Sequence, residues 1–295
     1  MLPLFQLIRN DMMKKMIVFI YPFEKIERIV DYAFRFARDI NAELEFVHAV
    51  EAGPAEYDPA LDKQVPDSMA TATTIGAIQE EMMAERQRIL QKTIGIKKAS
   101  VGLTVPLSWS VTAGTHLMLN DGISERNDVD LILVPTAPDE LYDVTAPDVA
   151  ANNRHPVLVF PVNQDYRPFK TIVYATDFHD EDIVVLKHLI GLTEPLEANI
   201  TVFHISHHRK TYEEELKKAG MEELINRKIM FREIPVVSEQ AGNVTEGIKE
   251  FSKRNYADLI VLMREDKNFF QRVFGRSTTK ELLRDTDIPV LVYHQ

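Results

Sequence analysis

Cysteine is absent from this chain of 295 residues, and tryptophan occurs only once. Without cysteine, the protein has no disulfide, no thiolate nucleophile and no cysteine-ligated metal site. No apolar run approaches the roughly 20 residues of a membrane-spanning helix, so we expect no membrane partner. The first eight residues are apolar but lack the basic leader and the small-residue cleavage site of a signal peptide. These features together predict a cytoplasmic protein.

Positive charge is also scarce. The 34 Lys and Arg residues are outnumbered by 45 Asp and Glu residues, which gives a net charge of −11. An acidic surface opposes nonspecific binding to nucleic acid, so we expect no nucleic-acid partner. The apolar fraction of 45% and the charged fraction of 27% are typical of a globular protein, and the length suffices for two domains.

Motifs of catalysis and of metal binding are missing as well. The chain has neither a nucleophile elbow nor a Walker loop. His204, His207 and His208 lie close together, but His48 repeats His204 without the other two. We therefore expect His204 to be a packed residue at a strand end, and we predict no metal site and no catalytic residue.

What the chain does contain is an internal repeat. Residues 124–134 reappear as residues 252–262 at an offset of 128, and the same offset places the Ala-Gly pair at 113–114 on that at 241–242. Each half ends in nearly the same five-residue segment, at 156–160 and 289–293. Several matched blocks in one order indicate a duplicated unit.

Apolar runs and helical periodicities alternate along both halves, which predicts β-α-β crossovers and a doubly wound α/β sheet. The predicted strands are Met16–Tyr21, Glu43–Val50, Val105–Val111, Asp130–Pro135, Val157–Phe160, Thr171–Thr176, Asn199–Ser206, Ile229–Val237, Asp258–Met263 and Val290–Tyr293. The predicted helices are Glu24–Ile40, Gln79–Gln91, Thr115–Arg126, Asp182–Leu192, Tyr212–Arg227 and Asn243–Arg254.

The domain organisation follows from the repeat. We predict one domain over residues 1–163 and a second over 168–295, joined by a short linker with two prolines. The first domain carries an insertion at about 52–78, and its Ser/Thr/Ala stretch at 68–74 is expected to be part of a surface loop. Two interpretations of the insertion stay open, a tolerated extension and a lid or partner-binding loop.

Three segments of the second half, at 172–178, 257–262 and 287–292, resemble the universal stress protein family. The internal repeat extends the resemblance to the first half. The resemblance implies two tandem Rossmann-like domains, each with a mostly parallel five-stranded sheet. It also implies internal pairing of the two domains through their last strands. A homodimer and an unidentified protein partner are further expectations. The implied role is stress adaptation or signalling through binding.

ATP-binding members of that family carry a Gly-x-x-Gly loop, then nine intervening residues, then Gly-Ser/Thr. Here Gly275 occupies the position of the last glycine of the motif, whereas Leu262 and Glu265 occupy the positions of the first two glycines. Arg276 follows Gly275, so the serine comes one residue later than in the motif. The corresponding loop of the first half contains no glycine. Glycines let backbone N–H groups approach phosphates, so the motif is degenerate in the second half and lost in the first.

The resemblance nevertheless implies a candidate site for ATP, another adenine nucleotide or another small anion in the second domain. Its residues are Asp177, Arg264, Gly275, Arg276, Ser277 and Thr278. Arg276 and the two hydroxyls are suited to an anion, although the charged loop is equally compatible with a solvated face. Asp177 is interpreted either as a ligand contact or as a helix cap. Direct alignment places Pro22 at its position in the first domain.

We therefore predict a protein that works by binding and not by turnover. Its first domain is expected to be a degenerate, ligand-free partner of the second. Two alternatives stay open: an interaction scaffold that binds no small ligand, and a nucleotide hydrolase of the wider adenine-binding fold.

Overall fold

The computed structural model describes residues 14–51, 68–136, 146–179, 181–206, 212–229, 232–264, 282–283 and 287–294. For residues 68–75 and 264 it describes the backbone alone. Ten strands and seven α-helices alternate along these residues. The strands are β1 (Lys14–Phe19), β2 (Ala42–Val50), β3 (Leu107–Ala113), β4 (Leu131–Thr136), β5 (Val157–Pro161), β6 (Thr171–Ala175), β7 (Asn199–Ser206), β8 (Val236–Gln240), β9 (Leu259–Arg264) and β10 (Val290–His294). The helices are α1 (Ile26–Ile40), α2 (Ser68–Val101), α3 (His116–Ser124), α4 (Ala146–Ala151), α5 (Asp182–Thr193), α6 (Tyr212–Lys228) and α7 (Val244–Arg254).

All ten strands form one sheet in the order β3-β2-β1-β4-β5-β10-β9-β6-β7-β8. Every neighbouring pair is parallel except β5 and β10, which run antiparallel with Leu158 opposite Leu291. The α/β class and the mostly parallel sheet are confirmed. Each half contributes five strands, and the β5–β10 pair joins the two sets into one ten-stranded sheet through backbone hydrogen bonds.

Helices cover both faces of the sheet, so most strands are buried on both sides. Helices α1, α2, α5 and α6 pack on one face, where aromatic side chains such as Phe34, Phe46 and Tyr174 are buried. Helices α3, α4 and α7 pack on the other face, around Val157, Ile248 and Phe251. No described helix has the length and hydropathy required to cross a membrane.

Two sequence expectations about local structure are wrong. Residues 68–74 are helical and not a loop, because α2 begins at Ser68 and continues without a break to Val101. Adding turns to a helix that is already anchored on α1 costs little, and alanine supports it. The strand expected to start at Ile229 starts at Val236, directly after Pro235, and α6 extends to Lys228.

Candidate functional site at the carboxyl ends of β6 and β9

The candidate site lies where the strand order of the second half reverses. From β6 the chain moves outward to β7 and β8, and it then returns to the other side of β6 to form β9 and β10. Strands β6 and β9 are parallel neighbours, with Ala175 opposite Leu262. In open α/β sheets the crevice beyond the carboxyl ends of two such strands is the usual ligand position. The residues that follow β6 and β9 are therefore the first to consider.

Asp177 lies two residues beyond the end of β6. Its Oδ1 atom is 3.2 Å from Nε2 of His179, and 13% of its side chain is exposed. Asp177 is not the N-cap of α5, because that position is Glu181, which makes no side-chain capping bond. The helix-cap interpretation is therefore wrong, and Asp177 is paired with His179 in the turn that follows β6.

A second carboxyl group, that of Asp182, organises the backbone around Asp177. It is 1% exposed and accepts hydrogen bonds from the hydroxyls of Tyr174 and Thr176. The backbone N–H of His179 donates to it as well, at 2.9 Å. Burial raises the pKa of the Asp182 carboxyl, while these donors oppose the shift. The network joins β6 to the start of α5 and holds the turn that carries Asp177.

Sequence reasoning treated Asp182 only as the first residue of a helix. The sequence signal was a hydroxyl residue at a strand end, Thr176, followed six residues later by an acidic residue at a helix start, Asp182. That pattern is too common to identify a site. Its role depends on Tyr174, which reaches the same carboxyl group from within the strand.

His204 packs beneath the same turn. Its Nδ1 atom is 2.8 Å from the carbonyl oxygen of Thr176, and its ring stacks on Phe178 with centroids 4.4 Å apart. Burial lowers the pKa of His204. A neutral imidazole donates from Nδ1 to that carbonyl, so His204 is a packed strand-end residue that supports the loop after β6. Within the described residues, no group of three or more metal-ligating side chains is arranged to hold an ion.

Arg264 is the last residue of β9, and its backbone pairs in register with His294 of β10. The structure therefore brings the chain at Arg264 to the same edge of the sheet as Asp177. The side chain of Arg264 lies outside the described part of the chain, as do Gly275, Arg276, Ser277 and Thr278. The grouping of these residues with Asp177 stays a prediction.

The register of the sheet corrects the proposed counterpart of Asp177 in the first half. Ile17 pairs with Ile132 in β4, and Val173 pairs with Ile260 in β9. Ile132 and Ile260 are 128 residues apart, as in the repeat, so Ile17 corresponds to Val173 at an offset of 156. That offset places Tyr21, and not Pro22, at the position of Asp177. Apolar strand residues match equally well at two offsets in sequence, and only the neighbouring strand distinguishes them.

Side-chain hydrogen bonds recur at matched positions of the two halves. Nδ1 of His48 lies 2.8 Å from the carbonyl oxygen of Ile20, as Nδ1 of His204 does from that of Thr176. The N–H of Lys15 donates to Asp130, as the N–H of Thr171 does to Asp258. The two halves therefore use matched side chains to support the ends of matched strands.

The first half fills the end of β1 with rings. The centroid of the His116 ring lies 4.5 Å from that of Tyr21 and 5.5 Å from that of His48, and both histidines are buried. The ring centroids of Phe23 and His48 are 4.7 Å apart. The guanidinium carbon of Arg86 lies 4.2 Å from the centroid of the Phe23 ring. Burial lowers the pKa of both His48 and His116 to about 4, so both are neutral at neutral pH. An aromatic ring thus replaces the carboxylate that follows β6.

Comparison with known proteins gives a match for the second half. Residues 168–294 match the model of the Universal stress protein family. No curated protein matches the chain.

Solved structures match along nearly the whole chain. A universal stress protein from Archaeoglobus fulgidus DSM 4304 is similar with a TM-score of 0.69 and 14% identity, over 95% of this chain and 96% of that one. A putative universal stress protein from Pseudomonas aeruginosa UCBPP-PA14 has a TM-score of 0.55 and 14% identity, over 96% and 93%. The cytoplasmic domain of a prokaryotic cation chloride cotransporter has a TM-score of 0.54 and 12% identity, over 95% of each chain. At these identities the likeness shows the fold and not a function.

Proposed function

We propose that this chain is a binding protein of the universal stress type that acts in stress adaptation through a ligand- or partner-dependent interaction. The observation that carries this proposal is the position of Asp177 beside the β6–β9 crevice, within the segment that matches the family model. We place the protein in the cytoplasm and assign no turnover to it.

The ligand that we propose is an adenine nucleotide or a similar small anion, bound weakly in the second half. The Asp177 carboxylate would accept an N–H from the base, which requires the imidazole of His179 to share that carboxylate or to move aside. The phosphates would lie toward the end of β9, where Arg264, Gly275, Arg276, Ser277 and Thr278 follow one another in the sequence. A guanidinium together with hydroxyl groups is suited to a phosphate.

We propose the first half as a divergent second copy that binds no nucleotide. The support is the matched pair of histidine–carbonyl bonds, together with the replacement of Asp177 by Tyr21 at the matched position. The packed rings of Phe23, His48 and His116 occupy that strand end, where the second half has the Asp177 carboxylate. On this proposal, residues 1–163 and 168–295 form the tandem domains.

Titration calorimetry with ATP, ADP and AMP tests the nucleotide. We expect about one nucleotide per chain, with binding weakened at least tenfold in Asp177→Asn and in Arg276→Ala. Asp165→Asn and Arg167→Ala make the same charge changes in the linker between β5 and β6, and they serve as matched controls. Equal affinity in Asp177→Asn and in the wild type would place the ligand elsewhere. Release of phosphate during the titration would favour the hydrolase alternative.

The ligand-free scaffold is the second candidate function. It is favoured by the Asp177 carboxylate already having a partner in His179, and by the location of the two cavities that we describe. One cavity lies at the junction between the halves, beside Tyr32 and Asp258, and the other lies between β3 and α3. Neither reaches Asp177. No heat with any of the three nucleotides at millimolar concentration would leave the scaffold as the function.

A further inference from the structure

Strand β3 lies at one end of the ten-stranded sheet. It pairs with β2 along its whole length, from Leu107 opposite Leu44 to Ala113 opposite Val50. Along its other side, β3 makes no backbone hydrogen bond to any part of the chain that the structure describes. An open strand edge is a template for pairing with another strand.

Two hydrogen bonds show which residues of β3 face that open side. The carbonyl oxygen of Pro106 accepts the N–H of Leu44 at 3.0 Å, and the N–H of Gly114 donates to Val50 at 3.0 Å. Both positions are even-numbered, and backbone groups alternate between the two sides of a strand. The outward N–H and C=O groups therefore belong to the odd-numbered residues Leu107, Trp109, Val111 and Ala113.

The β3 edge lacks the devices that normally block pairing. None of its seven residues is charged, and none is proline. The opposite end of the sheet is different, since β8 has five residues and carries Glu239, which forms an ion pair with Arg254 at 2.7 Å. Charge and short length protect the β8 edge, whereas β3 presents a long, neutral edge.

We propose that the β3 edge binds a second copy of this chain, with the two β3 strands antiparallel about a two-fold axis at Ser110. The strand is self-complementary in this register. Trp109 lies opposite Val111 of the second copy, so outward backbone groups meet outward backbone groups. Ser108 lies opposite Thr112 of the second copy, which pairs hydroxyl with hydroxyl on the other face. No like charges meet along the seven residues.

The surface beside β3 extends the same interface. A cavity of about 310 Å³ between β3 and α3 is lined by Val47, Ser110, Met118 and Leu119, among others. Met118 is 66% exposed and Leu117 39% exposed. A two-fold axis perpendicular to the sheet keeps both α3 helices on one face, and Ser110, which lies on the axis, lines the cavity of each copy. The pairing closes after two copies, as an isologous contact requires.

Cysteine cross-linking tests the register, because the natural chain has no cysteine. In Ser110→Cys, the two thiols face each other across a non-hydrogen-bonded antiparallel pair with Cα atoms about 4.5 Å apart, within the range of a disulfide. In the control Ser108→Cys, the two substituted positions are separated by roughly 13 Å along the strand. We expect a mild oxidant to convert Ser110→Cys to a covalent dimer at least tenfold faster than Ser108→Cys. Equal rates would overturn the proposed register.

Sedimentation of the cysteine-free protein tests the dimer itself. We expect wild-type protein to associate reversibly to a dimer, and Ser110→Lys to weaken the association at least tenfold because two ammonium groups meet on the axis. Gln240→Lys adds the same charge at the β8 edge, where Gln240 is exposed and Ser110 of β3 is half-buried, and we expect it to dimerise as the wild type does. A wild-type protein that stays monomeric at 100 μM, or an equal effect of the two lysine variants, would refute the proposal. Neither experiment depends on a bound nucleotide.

Discussion

Lowering the pH is expected to destabilise the first half of the molecule through His48 and His116. Both imidazoles are buried at the end of β1, and burial lowers their pKa from 6.5 to about 4. The unfolded chain binds protons at the ordinary pKa, so it binds more protons than the folded chain between these values. Stability is therefore full above about pH 6.5 and falls as the pH drops toward 4.

The magnitude follows from the two shifts. A pKa displaced from 6.5 to about 4 corresponds to about 3 kcal/mol per histidine once the pH is below 4, and to about 2 kcal/mol at pH 5. His116 is the cleaner target of the two. Its Nε2 atom is buried and meets no hydrogen-bond criterion in the described structure, although the carbonyl of Ile20 lies near enough to raise its pKa slightly against the effect of burial; Nδ1 of His48 makes a full hydrogen bond to that carbonyl, at 2.8 Å. Replacing His116 by an apolar ring removes the titration and leaves no broken bond at that atom.

The assay is urea unfolding at pH 7.5 and at pH 5, followed by the fluorescence of Trp109. This single tryptophan lies in β3 and packs against the core of the first half. We expect His116→Phe to lose about 2 kcal/mol less than the wild type between the two pH values. Leu117→Phe places the same ring on the neighbouring, partly exposed position and is expected to behave as the wild type does.

An equal loss of stability in the wild type and in His116→Phe would refute the reasoning. It would mean that the imidazole of His116 is already solvated in the folded state, or that a neighbouring carboxylate stabilises the protonated imidazole and cancels the free-energy cost of burying its charge. The carboxylate of Glu51 lies 3.9 Å from Nδ1 of His116. The variant Glu51→Gln distinguishes the two explanations, because only an ion pair between Glu51 and His116 would change its pH dependence; the double variant Glu51→Gln, His116→Phe is the control.

Further predictions concern the packing of α7 and the network around Asp182. A Cβ at Gly247 would lie 2.6 Å from Cδ1 of Ile205, so Gly247→Ala is expected to lose about 1–3 kcal/mol in urea unfolding, and Ile205→Val should restore part of it. Gly122→Ala in α3 meets nothing within 4 Å and is expected to gain about 0.5–1 kcal/mol; a gain at both glycines would contradict the close packing of α7 on β7. Tyr174→Phe is expected to cost about 1–3 kcal/mol because the buried Asp182 carboxyl loses a donor, and Thr176→Ser, which keeps its hydroxyl, much less; equal costs would contradict the network.

The sequence alone was sufficient for the alternation of strands and helices. Apolar runs such as 199–206 became strands with the expected ends, since a strand buried on both faces requires apolar residues throughout. Periodicity located α1, and the matched polar residues Thr115 and Asn243 cap α3 and α7. The alignment of Asp177 with Pro22 failed because runs of interchangeable apolar residues leave the offset of a strand undetermined within one position.

What the sequence by itself determined is the class of fold, the internal repeat and the polar residues at the strand ends. The tertiary structure decided which of these residues meet. The antiparallel register of the β5–β10 pair and the His48–His116 contact join residues far apart in the chain. The Tyr174–Asp182 bond connects a strand to the helix that follows it, and the open edge of β3 depends on which strand lies at the end of the sheet. Local patterns record the burial that each residue needs, but the partner that provides it is selected by strand order and register, which only the packed sheet specifies.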